Sequence, residues 1–303
     1  MSKTPTVIIV EVVFLVIFWT WALAAILFLR NTVLTRLPLV QTPESFNLSA
    51  QTVQLLATDG VELAGWLVPA MPAGRHGASD QPWIILCHGL GTSRADVLEI
   101  GAGLHRAGFN LLLFDFRGHG GSAGRTTSFG WLEQRDLEGA LAFLGQQPEI
   151  PAKPYGVYGI SMGGSVALIV AGRDERIGAV AVESPYTNLE ESIGHHLTLM
   201  YPWVPKAPFH WYVLATYRMR FGIWPRHVSA ERGVRALNGR PLLLIHGAED
   251  PRMPLDGITR MFNNASQPKD LWVVEGSGHL GAYALNPKAY LDRLTRFFHA
   301  SLK

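Results

Sequence analysis

Short apolar runs recur eight times between residues 52 and 277, and their spacing constrains the fold more than any other feature. The first two runs alternate apolar and polar residues, which is typical of a half-exposed antiparallel edge. The later six are almost continuously apolar, as expected of parallel strands that are covered on both faces. The runs are TVQLLAT, VELAGWLVP, WIILCHG, NLLLFDF, YGVYGIS, GAVAVES, PLLLIHG and LWVVEGS.

Helical patterns separate these runs, so the sequence predicts an α/β fold with a mostly parallel, doubly wound sheet. Residues 187–238 interrupt the alternation, because prolines and large aromatic residues crowd this segment. We expect a small cap insertion there; the alternative is two ordinary helices packed on the core. The segment at 76–82 is expected to be an exposed turn. The helical patterns lie at about 94–107, 130–146, 162–173, 256–266 and 287–300.

The amino-terminal segment differs from the rest of the chain. Residues 7–29 form a run of 23 residues in which Glu11 is the single charged side chain. A helix of about 20 apolar residues crosses the hydrocarbon layer of a membrane. The sequence therefore predicts an uncleaved, single-pass transmembrane anchor at residues 1–30, a linker at 31–50 and one α/β domain at 51–303.

A cleavable signal peptide is the alternative for this segment. The tripeptide ALA at 22–24 resembles a cleavage site with small residues, although the apolar run continues five residues beyond it. The side of the membrane stays open, because Lys3 at one end and Arg30 and Arg36 at the other nearly balance. A net charge of +2 gives no basic field that would attract nucleic acid.

One serine lies between two glycines where a predicted strand meets a predicted helix. The stretch YGISMGG places Ser161 between Gly159 and Gly163. A tight turn at such a junction presents the serine hydroxyl above the carboxyl ends of the strands, while the following helix supplies N–H groups. We therefore predict that Ser161 is a nucleophile; the alternative is a serine that only caps the helix.

A serine nucleophile needs a general base and a carboxylate that orients the base. His279 follows the last apolar run, and Asp250 follows the run PLLLIHG. Both therefore follow predicted strands. In sites built on this type of turn, the nucleophile, the acid and the base occur along the chain in the order seen here for Ser161, Asp250 and His279. The competing acid is Glu183, which ends the run AVAVE, whereas Asp115 is expected to be structural and to pair with Arg117.

An oxyanion hole requires two backbone N–H donors near the nucleophile. Met162 follows Ser161 directly and is the first predicted donor. The second is predicted to be Leu90, in the loop HGLG after the run WIILC, where glycines allow the backbone to turn toward the serine. The cysteine of that run, Cys87, is the only cysteine in the chain and is expected to be buried.

The motifs GISMGG, HGLG, DFRGHGGS, HGAEDPRMP and GSGH together resemble those of α/β-hydrolase-fold serine hydrolases over residues 50–300. The stretch ESPYTNL and the apolar amino terminus resemble membrane-anchored α/β-hydrolase-domain proteins, among them lipases, lysophospholipases and thioesterases. The resemblance implies hydrolysis of ester or thioester bonds through an acyl-enzyme on Ser161, with Asp250 as the acid and His279 as the base. We expect no cofactor, and no HExxH or paired Cys/His spacing in the sequence indicates a metal.

Other function classes fit the sequence less well. A serine peptidase that cleaves short peptides is the main alternative among enzymes, and a non-catalytic binding protein of the same fold is a further one. The glycines at 118–124 depart from the spacing of a nucleotide-binding loop. His195 and His196 have no partner at a spacing that would indicate a metal site.

The aromatic residues of segment 187–238 are expected to form an apolar cap that admits acyl chains of an ester or lipid substrate. We expect Tyr186, Trp203 and Trp211 to contact the substrate; the alternative is that the rings only pack the cap onto the sheet. Because all motifs follow residue 50, we also expect catalysis to survive removal of residues 1–29.

Overall fold

An eight-stranded sheet forms the centre of the computed structural model, which describes residues 4–36, 38–70, 81–150 and 154–302. The strand order is β1-β2-β4-β3-β5-β6-β7-β8; the pairs β1–β2 and β2–β4 are antiparallel and the others are parallel. This is the predicted α/β-hydrolase fold. The strands are β1 Gln51–Leu56, β2 Glu62–Val68, β3 Trp83–Cys87, β4 Asn110–Phe114, β5 Tyr155–Ile160, β6 Ile177–Glu183, β7 Leu242–Gly247 and β8 Lys269–Val274.

Helices cover both faces of the sheet, which explains why the parallel strands are apolar along their whole length. Side chains of α3, α4, α7 and α8 fill the core on one face, and those of α2, α9 and α10 fill it on the other. Strand β3 shows the alternation: Ile85 and Cys87 point into the first core and Ile84 and Leu86 into the second. The helices are α1 Pro5–Thr32, α2 Leu98–Arg106, α3 Glu133–Gly145, α4 Met162–Ala171, α5 Leu189–Met200, α6 Lys206–Phe221, α7 Ala230–Arg235, α8 Leu255–Asn264, α9 Ala282–Leu285 and α10 Pro287–Ser301.

The segment at 187–238 contributes two long helices, α5 and α6, followed by a turn and the short α7, which packs on α4. Buried side chains of α5, α6 and the neighbouring loops form a third apolar cluster, separate from the two sheet cores. Side chains of α1 belong to this cluster as well, which the sequence did not suggest. The exposed turn expected at 76–82 lies largely outside the described residues.

Helix α1 is 28 residues long and, among the described residues, is the one helix long and apolar enough to cross a membrane. Such a helix is compatible with a membrane anchor and with a signal sequence. Every residue from 4 to 20 is exposed, but Ala24, Phe28 and Thr32 are buried. The helix therefore has an exposed first part and a second part that is docked on the cap.

Contacts continue beyond α1 into the segment expected to be a linker. Thr127 N donates to Thr32 O at 2.9 Å, and Val33 forms a β-bridge with Thr126. The Arg36 guanidinium donates to Ser122 O at 2.6 Å. These bonds attach the end of α1 to the loop that follows β4.

Three ion pairs take the place of the expected Asp115–Arg117 pair. Asp115 pairs with Arg94 and also accepts from Arg94 N at 2.7 Å, so it fixes the loop after β3 rather than contacting Arg117. Arg117 turns the other way, toward α3, where it pairs with Asp136 at 2.6 Å and with Asp59 at 2.7 Å. The prediction of an Asp115–Arg117 pair was wrong because the two side chains leave the strand end in different directions.

The docked part of α1 predicts a stability difference between two phenylalanines of the same helix. Phe28 is 7% exposed, and its ring centroid lies 6.0 Å from those of Phe129 and Tyr217, whereas Phe14 is 66% exposed. Phe28→Ala should lower the free energy of unfolding by about 3 kcal/mol, because a buried ring is lost. Thermal unfolding in detergent should show no change for Phe14→Ala. Equal midpoints for the two variants would contradict the docking.

Candidate active site

Ser161 occupies the turn that joins β5 to α4, as the sequence predicts. Its φ of 50° and ψ of −120° are rare for a residue with a side chain and mark a strained turn. A Cβ at Gly159 would lie 2.7 Å from Gly163 O, and a Cβ at Gly163 would lie 2.3 Å from His88 O. Glycine is therefore needed at both positions, because only then can α4 begin against the end of β3.

The structure brings Ser161, His279 and Asp250 into one hydrogen-bonded chain. His279 Nε2 lies 3.1 Å from Ser161 Oγ, and His279 Nδ1 lies 2.7 Å from Asp250 Oδ2. With its proton on Nδ1, the imidazole donates to the carboxylate and accepts from the serine hydroxyl. This is the arrangement in which a histidine can remove the proton of a serine nucleophile.

Further hydrogen bonds hold the carboxylate of Asp250 in place. Its Oδ1 accepts from Arg252 N at 2.9 Å and from Met253 N at 3.0 Å. Burial by itself would raise the pKa of Asp250, but the hydrogen bond and charge of His279 and the Met253 N–H outweigh burial, so the pKa is lowered. The carboxylate is therefore ionised at neutral pH and keeps the Nδ1 proton on His279.

Glu183, the competing acid, binds other partners. Its Oε1 accepts from Ala282 N at 3.2 Å, and its Oε2 accepts from Tyr290 OH at 2.7 Å. Burial raises the pKa of this carboxyl. Because Ala282 is the first residue of α9, Glu183 supports the loop that carries His279 without bonding to the imidazole.

The loop after β3 lies against the nucleophile. A Cβ at Gly89 would be 3.6 Å from Ser161 Cβ, and Leu90 and Met162 both line the cavity of the serine. Within the part of the chain that the structure describes, neither the Leu90 N–H nor the Met162 N–H has a hydrogen-bond acceptor. Both donors are thus available for an oxyanion, as the sequence predicts for these residues; their catalytic role stays a prediction.

Two buried histidines that sequence analysis did not single out shape this loop. His88 Nδ1 donates to Gly89 O at 2.7 Å, and its Nε2 accepts from Phe116 N at 3.0 Å. His119 Nε2 accepts from Gly91 N at 3.1 Å, and its Nδ1 lies 2.9 Å from the carbonyl oxygen two residues earlier. Burial is the main cause that lowers the pKa of both imidazoles. The available signal was their position, directly after β3 for His88 and in the loop that follows β4 for His119.

A cavity of about 330 Å³ opens beside Ser161 and His279, which lies at the small end of the usual range for ligand pockets. Its walls come from the loop after β3, from the cap and from the last turns of α1. Among the described residues that line it there is no Asp or Glu, and its basic members besides His279 are Arg252 and His196. The cavity is therefore mostly apolar, with a cation at one side.

The three expected substrate contacts do not share this cavity. Tyr186 lines it, and its hydroxyl donates to Phe129 O at 2.9 Å. Trp203 is 78% exposed, and Trp211 is 62% exposed and borders a neighbouring cavity. The structure places neither tryptophan beside Ser161, because both side chains point out of the cap.

Fold and site together define a serine hydrolase of the α/β-hydrolase fold. The family model described as serine aminopeptidase, S33 (Hydrolase_4) matches residues 78–237, more than half of the chain. The chain therefore belongs to this family.

Two relatives and one solved structure are similar to this chain. An uncharacterized protein of Mycobacterium tuberculosis is 30% identical over 239 residues, which are 79% of this chain and 75% of the relative. Protein bem46 of Schizosaccharomyces pombe is 25% identical over 76% of this chain and 70% of its own length. The solved structure of the Pyrococcus furiosus esterase Pf2001 is 24% identical with a TM-score of 0.73, over 90% of this chain and 98% of that one, and it shows the fold.

The hydrogen-bonded chain predicts an order of effects on hydrolysis. Ser161→Ala and His279→Ala should each lower kcat by about 10⁶-fold, whereas Asp250→Asn should lower it by about 10⁴-fold, because an imidazole without its orienting carboxylate still accepts a proton. Glu183→Gln, which keeps an acceptor for Tyr290, is the control and should cost far less. The measurement is turnover of a chromogenic ester. A larger loss for Glu183→Gln than for Asp250→Asn would place the acid on β6.

The buried neutral histidines predict that stability decreases in acid. Unfolded histidines take up a proton near pH 6.5, but folded His88 and His119 resist protonation because their pKa values are lowered. Unfolding below that pH therefore binds protons, so the free energy of unfolding should fall between pH 7 and pH 5 and should not depend on these groups above pH 7.

The variant His119→Gln keeps a neutral acceptor for Gly91 N. It should lower the number of protons taken up on unfolding by about one, and so make the free energy of unfolding less dependent on pH. The exposed His227 offers the matched control His227→Gln, which should leave the dependence unchanged. The measurement is the melting temperature from pH 5 to pH 8. A melting temperature that stays constant or rises on acidification contradicts the assignment of neutral, buried imidazoles.

Proposed function

We propose that this protein hydrolyses carboxylic ester bonds, or thioester bonds, of acyl or lipid-like substrates through an acyl-enzyme on Ser161. The observation that carries the proposal is the combination of two features. The serine is hydrogen-bonded to His279, and it opens into a mostly apolar cavity of about 330 Å³. Burying an acyl chain there removes apolar surface from water at about 25 cal/mol per Å².

In the first half-reaction, Ser161 Oγ attacks the carbonyl carbon while its proton moves to His279 Nε2. Asp250 stabilises the imidazolium through the Nδ1–H bond. The negative oxygen of the tetrahedral intermediate accepts hydrogen bonds from Leu90 N and Met162 N. When the intermediate collapses, the ester C–O bond breaks and the leaving alcohol takes the proton from His279.

In the second half-reaction, water attacks the acyl group on Ser161. His279 removes a proton from the water, and the carbonyl oxygen again becomes negative between the same two N–H donors. Collapse of this intermediate breaks the bond to Ser161 Oγ, which regains a proton from His279. The carboxylic acid leaves, and the site returns to its starting state.

Hydrolysis of short peptides is the second candidate function, because the family is described as serine aminopeptidase. Recognition of a peptide amino terminus calls for an anionic group near the ammonium ion. None of the described residues that line the cavity has a carboxylate, and Arg252 brings a positive charge. The charge of the cavity therefore favours an acyl ester over a free amino terminus.

We also propose that α1 is a membrane anchor that the mature protein keeps. Its exposed apolar side chains from residue 4 to residue 20 would be unfavourable in water but suit the hydrocarbon layer. Cleavage after Ala24 would remove a fully buried residue of the cap cluster, which supports retention of the helix. The anchor at 1–30 and the domain at 51–303 then stay in contact through the end of α1.

A panel of substrates separates the two candidate functions. We expect kcat/KM for p-nitrophenyl esters to exceed that for aminoacyl p-nitroanilides and to rise with acyl length, by up to about fourfold per methylene until the cavity is filled. Ser161→Ala serves as the blank. Aminoacyl anilides that are cleaved faster than every ester would instead establish the peptidase.

A further inference from the structure

Four residues of α1 line the cavity beside Ser161. They are Ala24, Leu27, Phe28 and Asn31. Their spacing of three and four residues places them on one face of the helix. The candidate transmembrane helix therefore forms part of the wall of the candidate active site, in addition to any role in attachment.

The two faces of these last turns differ sharply. On the cavity side, Ala24 is completely buried, and Phe28 contacts rings of the cap and of the loop after β4. On the other side, Leu23 and Ile26 are exposed, the latter by 56%. A single helix thus forms the wall here, and its outer surface continues directly into the exposed part of α1.

The length of α1 before its cavity-lining residues places the cavity relative to a membrane. Residues 5–23 rise by about 28 Å at 1.5 Å per residue, close to the roughly 30 Å hydrocarbon layer. If these residues span the bilayer, the turns that line the cavity lie at its boundary.

Exposed apolar side chains of the cap agree with this placement. Met200 lines the cavity and is also exposed, so an apolar rim separates the cavity from the surroundings. Helix α6, which packs against α1, carries the exposed Trp211, and tryptophan favours the membrane interface.

We propose that the acyl chain of a lipid resident in the bilayer enters the cavity along the inner face of α1, and that Leu27 and Phe28 contact this chain. The substrate class is then a long-chain acyl lipid of the membrane rather than a water-soluble ester. The inference rests on the proposed ester hydrolysis and adds to it the source of the substrate and two specificity-determining residues.

The proposal changes the outcome expected for removal of residues 1–29. The described bonds among Ser161, His279 and Asp250 involve no residue of α1, so short esters should still be hydrolysed. The preference of the enzyme for long acyl chains should disappear, because one wall of the acyl-chain site is missing.

Neighbouring residues of α1 allow a matched test in the full-length protein, reconstituted in phosphatidylcholine vesicles. Leu27→Trp should fill the cavity and lower kcat/KM for a dodecanoyl ester by at least about tenfold, while the acetate ester changes by less than about twofold. Ile26→Trp places the same side chain on the exposed face and should behave like the parent. Identical chain-length profiles for the two variants would overturn the proposal.

A second variant covers the case in which Leu27→Trp does not fold. Leu27→Ala enlarges the cavity and should move the preferred acyl chain to a greater length. An unchanged preference contradicts the assignment of Leu27 to the wall. Fluorophosphonate labelling of Ser161 reports in each variant whether the site is intact.

The route from the membrane has its own experiment. A fluorogenic long-chain acylglycerol is placed either in the vesicles that hold the protein or in separate vesicles. We expect hydrolysis in the shared bilayer at least about tenfold faster. Equal rates would exclude entry from the bilayer.

The outcomes also separate the two proposals. If the parent reacts with fluorophosphonate but hydrolyses no ester of any length, the proposal of ester hydrolysis is wrong. If the parent hydrolyses esters but the Leu27 variants behave like the parent, only the proposed role of α1 is wrong.

Discussion

The close approach of α4 to the end of β3 is the constraint on which the rest of this site depends. Side chains at Gly159 and Gly163 would overlap backbone oxygen atoms, so only glycines let the helix begin there. That approach forces Ser161 into its strained turn and brings Gly89 within contact of its side chain. One packing requirement therefore presents the hydroxyl, aims the amino terminus of a helix at it and brings in the loop with Leu90.

Hydrogen bonds and burial near the serine fix the protonation states of Asp250, His88 and His119. Asp250 stays ionised because hydrogen bonds outweigh its burial, whereas burial keeps His88 and His119 neutral. Neutral imidazoles accept hydrogen bonds from Phe116 N and Gly91 N and thereby hold the loop that carries Leu90. The cavity beyond adds apolar surface; in the proposed ester hydrolysis, binding energy would come from the acyl chain, and the polar groups would act on the reacting carbonyl.

The sequence predicted the sheet and the Ser161, Asp250 and His279 positions, because strand periodicity and the turn after each strand are local properties. It could not predict which helices enclose the cavity, since that depends on contacts between distant segments. The tryptophans of the cap were expected to contact substrate from their density alone, but density does not fix the direction of a side chain. Likewise, the composition of α1 predicted a membrane anchor, and only the tertiary structure shows that one face of its last turns is buried.

A crystal structure of the protein after reaction with a long-chain alkyl fluorophosphonate would test this account most directly. The phosphorus mimics the tetrahedral carbon of the reaction. We expect it bonded to Ser161 Oγ, with its free oxygen at Leu90 N and Met162 N and the alkyl chain against Leu27 and Phe28. Phosphorus on another residue would contradict the nucleophile, and a chain directed away from α1 would contradict the proposed wall.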